Sequence, residues 1–165
     1  MAEKRHYKAM KTPSDSMVTV TKTVHYEDIN GINRLFGGRL MEWIDDAAGV
    51  ASRRHCGCAV TTACVDQLVF KRPVLLNDII TIHAQVTHVG RTSMEVRVET
   101  YVENVADGSR ALVNMAYLTE VCMDKSGKPT PVEYGLLLTT DEERAENEAA
   151  KKRIVFRKTR KAEGF

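Results

Sequence analysis

No apolar run in this 165-residue chain approaches the roughly 20 residues that a bilayer-crossing helix needs. The stretch Met1 to Thr12 is polar and basic, with none of the apolar core of a secretory leader, so a cytoplasmic location is expected. Neither sign of charge dominates: 24 Lys and Arg stand against 22 Asp and Glu, and aromatics make up only 6%. That balance argues against a nucleic-acid binder. Cysteines number four, and none forms a Cys-x-x-Cys pair. In a cytoplasmic setting they read as reduced thiols. His55-Cys56-Gly57-Cys58 with Cys64 has no second ligand pair, so no metal is expected. A Gly-x-Ser-x-Gly elbow is missing too, which removes support for a serine triad.

What is present is enough apolar residue for one domain, 43% against 28% charged. The expected division is a flexible arm over residues 1–16, a single domain over 17–139, and a surface helix with a basic tail over 140–165. Met17 to Tyr26 is rich in Val and Thr and alternates, which predicts a strand. Four more strands are predicted: Ala59 to Phe70 with a kink, Asp78 to Val89, Ser93 to Asn104, and Arg110 to Met123. Short turns join the later strands, so the sheet should be antiparallel. Thr140 with Glu143 predicts a capping box for a second helix, polar almost all round, running to about Arg153. The basic residues from Lys151 to Lys161 read as solvated or as packing on a neighbouring subunit.

Between the first strand and the others lies the stretch with the most chemistry. Asp28 to Phe36 is a polar turn, Gly37-Gly38 follows, and an apolar helix then runs to about His55. Leu40, Ile44, Ala47, Ala48 and Ala51 form one apolar face. Free N–H groups at a helix start can hold a developing negative charge. A carboxylate beside an apolar face makes a useful base, and both Asp45 and Asp46 qualify by chemistry. One helix packed on a curved antiparallel sheet buries both apolar surfaces. Such a sheet leaves an edge that a second copy would cover, so a homodimer is expected.

The layout and motifs resemble the hotdog fold, an α+β architecture in which a curved antiparallel sheet wraps one long central helix. More narrowly they resemble the acyl-CoA hydrolases, the bacterial short-to-medium-chain and brain-type thioesterases. The residues that carry this are Asp28-x-Asn30 before Phe36-Gly37-Gly38, then Met41 and Asp45. Asp66-Gln67-Leu68-Val69-Phe70-Lys71-Arg72-Pro73-Val74 and Val89-Gly90-Arg91-Thr92-Ser93 complete them, and the likeness spans about Val18 to Val121. It departs at Asn33, where the family often has Gly; Asn tolerates a left-handed backbone next best.

The resemblance implies hydrolysis of acyl-CoA to a fatty acid and coenzyme A, which is part of the substrate, with no separate cofactor. It implies Asp45 as the general base that activates water, or else as a nucleophile forming an anhydride. Gly38 N–H, with Gly37 beside it, becomes the oxyanion donor. Asn30 polarises the thioester carbonyl or orients the water, although by its own chemistry an Asx-turn residue is the stronger reading. Thr62 is a further water-positioning hydroxyl. Arg91, Thr92, Ser93, Lys71 and Arg72 suit the phosphates and amides of coenzyme A. Asp66 suits either catalysis or an interchain hydrogen bond. Asn30 of one chain is expected to face Asp45 of another, in a dimer or a trimer of dimers. A dehydratase of the same fold would want a His in the site, and none lies between Glu27 and Arg54. A non-catalytic acyl-CoA sensor is the other alternative.

Overall fold

The computed structural model describes residues 6–164, apart from the side chain of Gln67. The elements run β1 (Ala9–Lys11), α1 (Pro13–Ser16), β2 (Val18–Thr23), α2 (Gly37–Cys56), β3 (Ala59–Phe70), β4 (Ile79–Val89), β5 (Ser93–Glu103), β6 (Arg110–Met123), β7 (Tyr134–Leu136) and α3 (Asp141–Glu163). Five strands form one antiparallel sheet in the order β2-β4-β5-β6-β3. The kink expected in β3 is a pair of register shifts, between Thr62 and Cys64 and between Asp66 and Val69. β1 and β7 make a separate parallel pair. No helix among the described residues is long and apolar enough to cross a membrane.

α2 lies on the inner face of the sheet. Leu40, Ile44, Ala48 and Ala51 are at most 1% exposed and pack with Ile82, Met94, Val96 and Val98. The run of alanines on one side lets backbone approach backbone, so the helix sits close in the curve of the sheet. Truncating Ile44 to Ala would cost roughly 2–5 kcal/mol from lost burial and the cavity left behind. Gly57 ends the helix in the left-handed conformation, with its N–H on Arg53 O.

α3 crosses the outer face, and two expectations about it need correction. It continues ten residues past Arg153, to Glu163. Its basic residues are not all solvated. Arg153 binds Glu95 and Glu146, while Arg157 binds Glu95 and Asp66. Arg160 reaches Asp66 as well. Arg153 also stacks 3.6 Å from the Tyr117 ring centroid. These side chains lie one helical turn apart, so they form a ladder on one face of α3. Arginine is polar in composition whether it is paired or wet, so the sequence of α3 alone does not reveal that ladder.

The arm expected over residues 1–16 is ordered from β1 onward; residues 1–5 lie outside the described residues. Lys11 Nζ donates to the Arg54 and His55 carbonyls at the C-terminus of α2, at 2.6 and 2.9 Å. Ser16 is fully buried against His55, with Oγ 3.2 Å from Nδ1. Burial, helped by the Lys11 charge, pushes the His55 pKa down to about 4. This segment therefore caps the far end of the central helix.

Candidate active site

The loop before α2 is built by Asn30. Its side-chain oxygen accepts from the N–H groups of Ile32 and Arg34, at 3.1 and 3.2 Å. That is the Asx-turn geometry open to it from sequence. Asn33 takes φ +57, so this turn does need a residue that tolerates the left-handed conformation. Arg39 of α2 reaches back to the buried Asp28, 3.2 Å away, and ties the loop to the helix. With its oxygen committed, the Asn30 amide is oriented, and its NH₂ donates to nothing among the described residues.

α2 begins without a side-chain cap. The first turn therefore leaves backbone N–H groups free at its positive end. A Cβ on Gly38 would come within 2.5 Å of the Phe36 ring, so only glycine lets that ring fold over the first turn. Asn30, Gly37, Lys71 and Arg72 share one cavity of about 410 Å³, walled by Phe70 and Leu40.

Asp45 sits in a different cavity. It is exposed in the single chain, as is Asp46, and both open on a space of about 510 Å³ with Arg53, Thr62 and Glu120. Eight residues of helix, roughly 12 Å, separate Asp45 from Gly37. The Thr62 hydroxyl lies 2.6 Å from Asp45 Oδ1 and 2.9 Å from Glu120 Oε1. It reaches Asp45 rather than Asp46 because the two carboxylates point about 100° apart around the helix.

Glu120 is the residue the sequence reading passed over. It is 1% exposed, and its Oε2 has no hydrogen-bond partner. Burial pushes its pKa up to about 6, the Asp45 and Cys56 charges add to the rise, and the Thr62 hydrogen bond opposes it. A signal existed: Glu120 falls between Leu118 and Cys122 in the alternation of β6, and both of those are fully buried. A carboxylate at an inward position of a strand needs a reason.

Arg91, Thr92 and Ser93 line a third cavity with Arg157 and Lys158 of α3. Asp66 belongs to none of these. Both of its oxygens are held by arginines of its own chain, Arg157 and Arg160. Three of the cysteines meet: the sulfurs of Cys56, Cys58 and Cys122 lie within 4.8 Å of one another. Cys64 is apart, 3.5 Å from Asp66, and His55 turns to Ser16. The trio is mutually hydrogen bonded, and the Cys122 thiol pulls the Cys56 pKa down to about 6.

Residues 33–108 match the model of the thioesterase superfamily. The uncharacterized acyl-CoA thioester hydrolase YkhA of Bacillus subtilis is 38% identical over 92% of this chain and 91% of its own length. An acyl-CoA hydrolase from Staphylococcus aureus, solved with butyryl coenzyme A and coenzyme A, superposes with a TM-score of 0.88. It is 34% identical and covers 93% of each chain. An apo hexameric acyl-CoA thioesterase superposes equally well, at 36% identity over 93% of this chain and 98% of its own. The Staphylococcus enzyme was also solved with alanine in place of an asparagine, an aspartate and a threonine, successive sites 15 and 17 positions apart. Asn30, Asp45 and Thr62 have the same spacing here. With a helix wrapped by an antiparallel sheet, a turn-locked asparagine and a hydroxyl-bound aspartate in the same order, the chain belongs to the thioesterase superfamily, among its acyl-CoA thioester hydrolases.

Proposed function

We propose that this protein hydrolyses acyl-CoA, with Asp45 as general base and Gly38 N–H as oxyanion donor. The carrying observation is the placement of Asp45, an exposed carboxylate on an open cavity with a neighbouring hydroxyl, that of Thr62, 2.6 Å away. A water molecule attacks the thioester carbonyl carbon, and its proton passes to Asp45. The carbonyl oxygen becomes an oxyanion that the free N–H groups at the start of α2 stabilise, Gly38 first. The unpaired NH₂ of Asn30 polarises the same oxygen. When the tetrahedral adduct collapses, the carbon–sulfur bond breaks, and Asp45 returns its proton to the departing thiolate. Water and acyl-CoA give the fatty acid and coenzyme A, with the base restored.

Asn30 and Gly37 line one cavity of the chain and Asp45 another, with Gly37 and Asp45 roughly 12 Å apart along α2. That separation favours a site completed by a second copy, with Asn30 and Gly38 of one chain facing Asp45 of another. β3 is an edge strand, and apolar side chains stand exposed along and near it, among them Val65, Val69 and Phe70. Phe36 and Met41 at the start of α2 are exposed too. A dimer would cover these surfaces, and the hexamer of the relative supports a trimer of dimers. Lys71, Arg72 and Arg91 are exposed cations suited to the coenzyme A phosphates, with Thr92 and Ser93 for polar contacts.

The test is release of free thiol from a series of acyl-CoA esters. Turnover of at least one chain length is expected, and none at any length would overturn the reading. Mixing Asn30→Ala subunits with Asp45→Asn subunits tests the shared site. Recovery of part of the activity on mixing is expected, and no recovery in confirmed mixed oligomers would assign both residues to one chain's site.

A further inference from the structure

Thr62 offers one proton to two carboxyl groups. Its hydroxyl is 2.6 Å from Asp45 Oδ1 and 2.9 Å from Glu120 Oε1. A hydroxyl donates once and can accept as well. If Glu120 carries a proton, it donates to Thr62, Thr62 donates to Asp45, and the chain of bonds is complete. If Glu120 is ionised, only one of the two carboxylates can receive the Thr62 proton. The other then faces an oxygen lone pair.

We infer that Glu120 is a positioning residue of the reaction: it competes with Asp45 for the single proton of Thr62, and so decides whether Asp45 is free to take a proton from water. This rests on Asp45 being the base.

Burial decides the competition. Glu120 is 1% exposed, and the Thr62 hydroxyl is its one hydrogen-bond partner among the described residues. Asp45 is exposed, so water can replace a lost hydrogen bond there. Leaving a buried carboxylate without a donor costs far more than returning an exposed one to water. The ionised Glu120 therefore captures the hydroxyl, and Asp45 Oδ1 is released to the substrate water. The protonated Glu120 does the reverse and leaves Oδ1 occupied.

The groups that face Glu120 set where this switch falls. From α2 these are Asp45 and Cys56, both of which disfavour its charge; from β3 it is Thr62, which favours it. Asp46 and Arg53 of α2 line the same cavity, and among the described residues no Lys or Arg offsets the burial of Glu120. Burial together with these neighbours raises its pKa to about 6. Glu120 is thus ionised at neutral pH and protonated in mild acid.

The experiment is the pH profile of kcat for wild type and for Glu120→Gln. Glutamine has the shape of glutamate, and its NH₂ donates to Thr62 permanently, as the protonated acid does. Wild-type kcat should fall through about pH 6 while the variant shows no step there. Above pH 7 the variant should run about 3- to 10-fold below wild type, converging with it below pH 6. KM should stay within about twofold, because Glu120 is buried away from bulk substrate contacts. In a Thr62→Val background, which removes the shared hydroxyl, Glu120→Gln should have no further effect on the profile. The inference is overturned if Glu120→Gln follows wild type across about pH 5 to 8. It is equally overturned if its effect survives unchanged in Thr62→Val, since Glu120 would then act through the fold. Matched melting temperatures show that the isosteric variant is folded. Failure of the base assignment has a separate signature, namely normal turnover by Asp45→Asn.

Discussion

Glu95 and Glu120 are each 1% exposed, they stand on adjacent strands of one sheet, and they are treated in opposite ways. Glu95 points to the outer face, where Arg153, Arg157 and the Thr87 hydroxyl all donate to it. Glu120 points to the inner side, towards α2, with one shared hydroxyl and an oxygen left unpartnered. The first is a compensated charge that fastens a helix. The second is an uncompensated one beside an exposed aspartate. A buried carboxylate with its full set of donors has a structural role, and one deprived of them beside a cavity is a place to look for chemistry.

Mutations should separate the two sides cleanly. On the inner side, Asp45→Asn should lower kcat by about 10²- to 10⁴-fold, because general-base help is removed. Asp46→Asn is its control and should leave kcat within about threefold. On the outer side, Glu95→Ala should leave two arginines facing a buried gap and destabilise the fold by about 3–5 kcal/mol, read by chemical denaturation. Activity per folded molecule should survive in Glu95→Ala, and a kcat loss as large as that of Asp45→Asn would break the comparison. Thr62→Val should remove the fall of kcat near pH 6 and leave kcat above pH 7 within about threefold of wild type, with little change in stability, since no hydroxyl is left to occupy Asp45 in acid. Arg160→Ala should be smallest, at most about 1 kcal/mol, because that arginine is 59% exposed and Arg157 still holds Asp66.

Acid gives a further separation. His55 is buried neutral with its pKa lowered from 6.5 to about 4. Between those values the unfolded chain binds the proton and the folded chain does not, so stability is full above pH 6.5 and declines as pH falls towards 4. Replacing His55 by Asn, which cannot titrate there, should flatten that part of the stability profile.

Much of the inner side was legible in sequence. The 3.6-residue period of Leu40, Ile44, Ala47 and Ala51 and the Gly-Gly start predicted α2 to within a residue of its observed end. Strand alternation placed β3 to β6, because one face of each packs on that helix. Asn33 carries its own backbone signal. The outer side was harder to read, since a ladder of Arg153, Arg157 and Arg160 has the composition of a solvated tail. Only the sheet carboxylates opposite, far away in sequence, reveal that it is paired. The same non-local reason hid the order in residues 7–16, where Ser16 finds His55 across 39 residues. Glu120 was readable by alternation, but its meaning required Thr62 and Asp45 in three dimensions.

The most direct measurement is the rate of thiol release by Asp45→Asn at saturating acyl-CoA, compared with wild type at the same pH. The account predicts a fall of about 10²-fold or more with an unchanged melting temperature. A variant that folds normally and turns over within about threefold of wild type would contradict it.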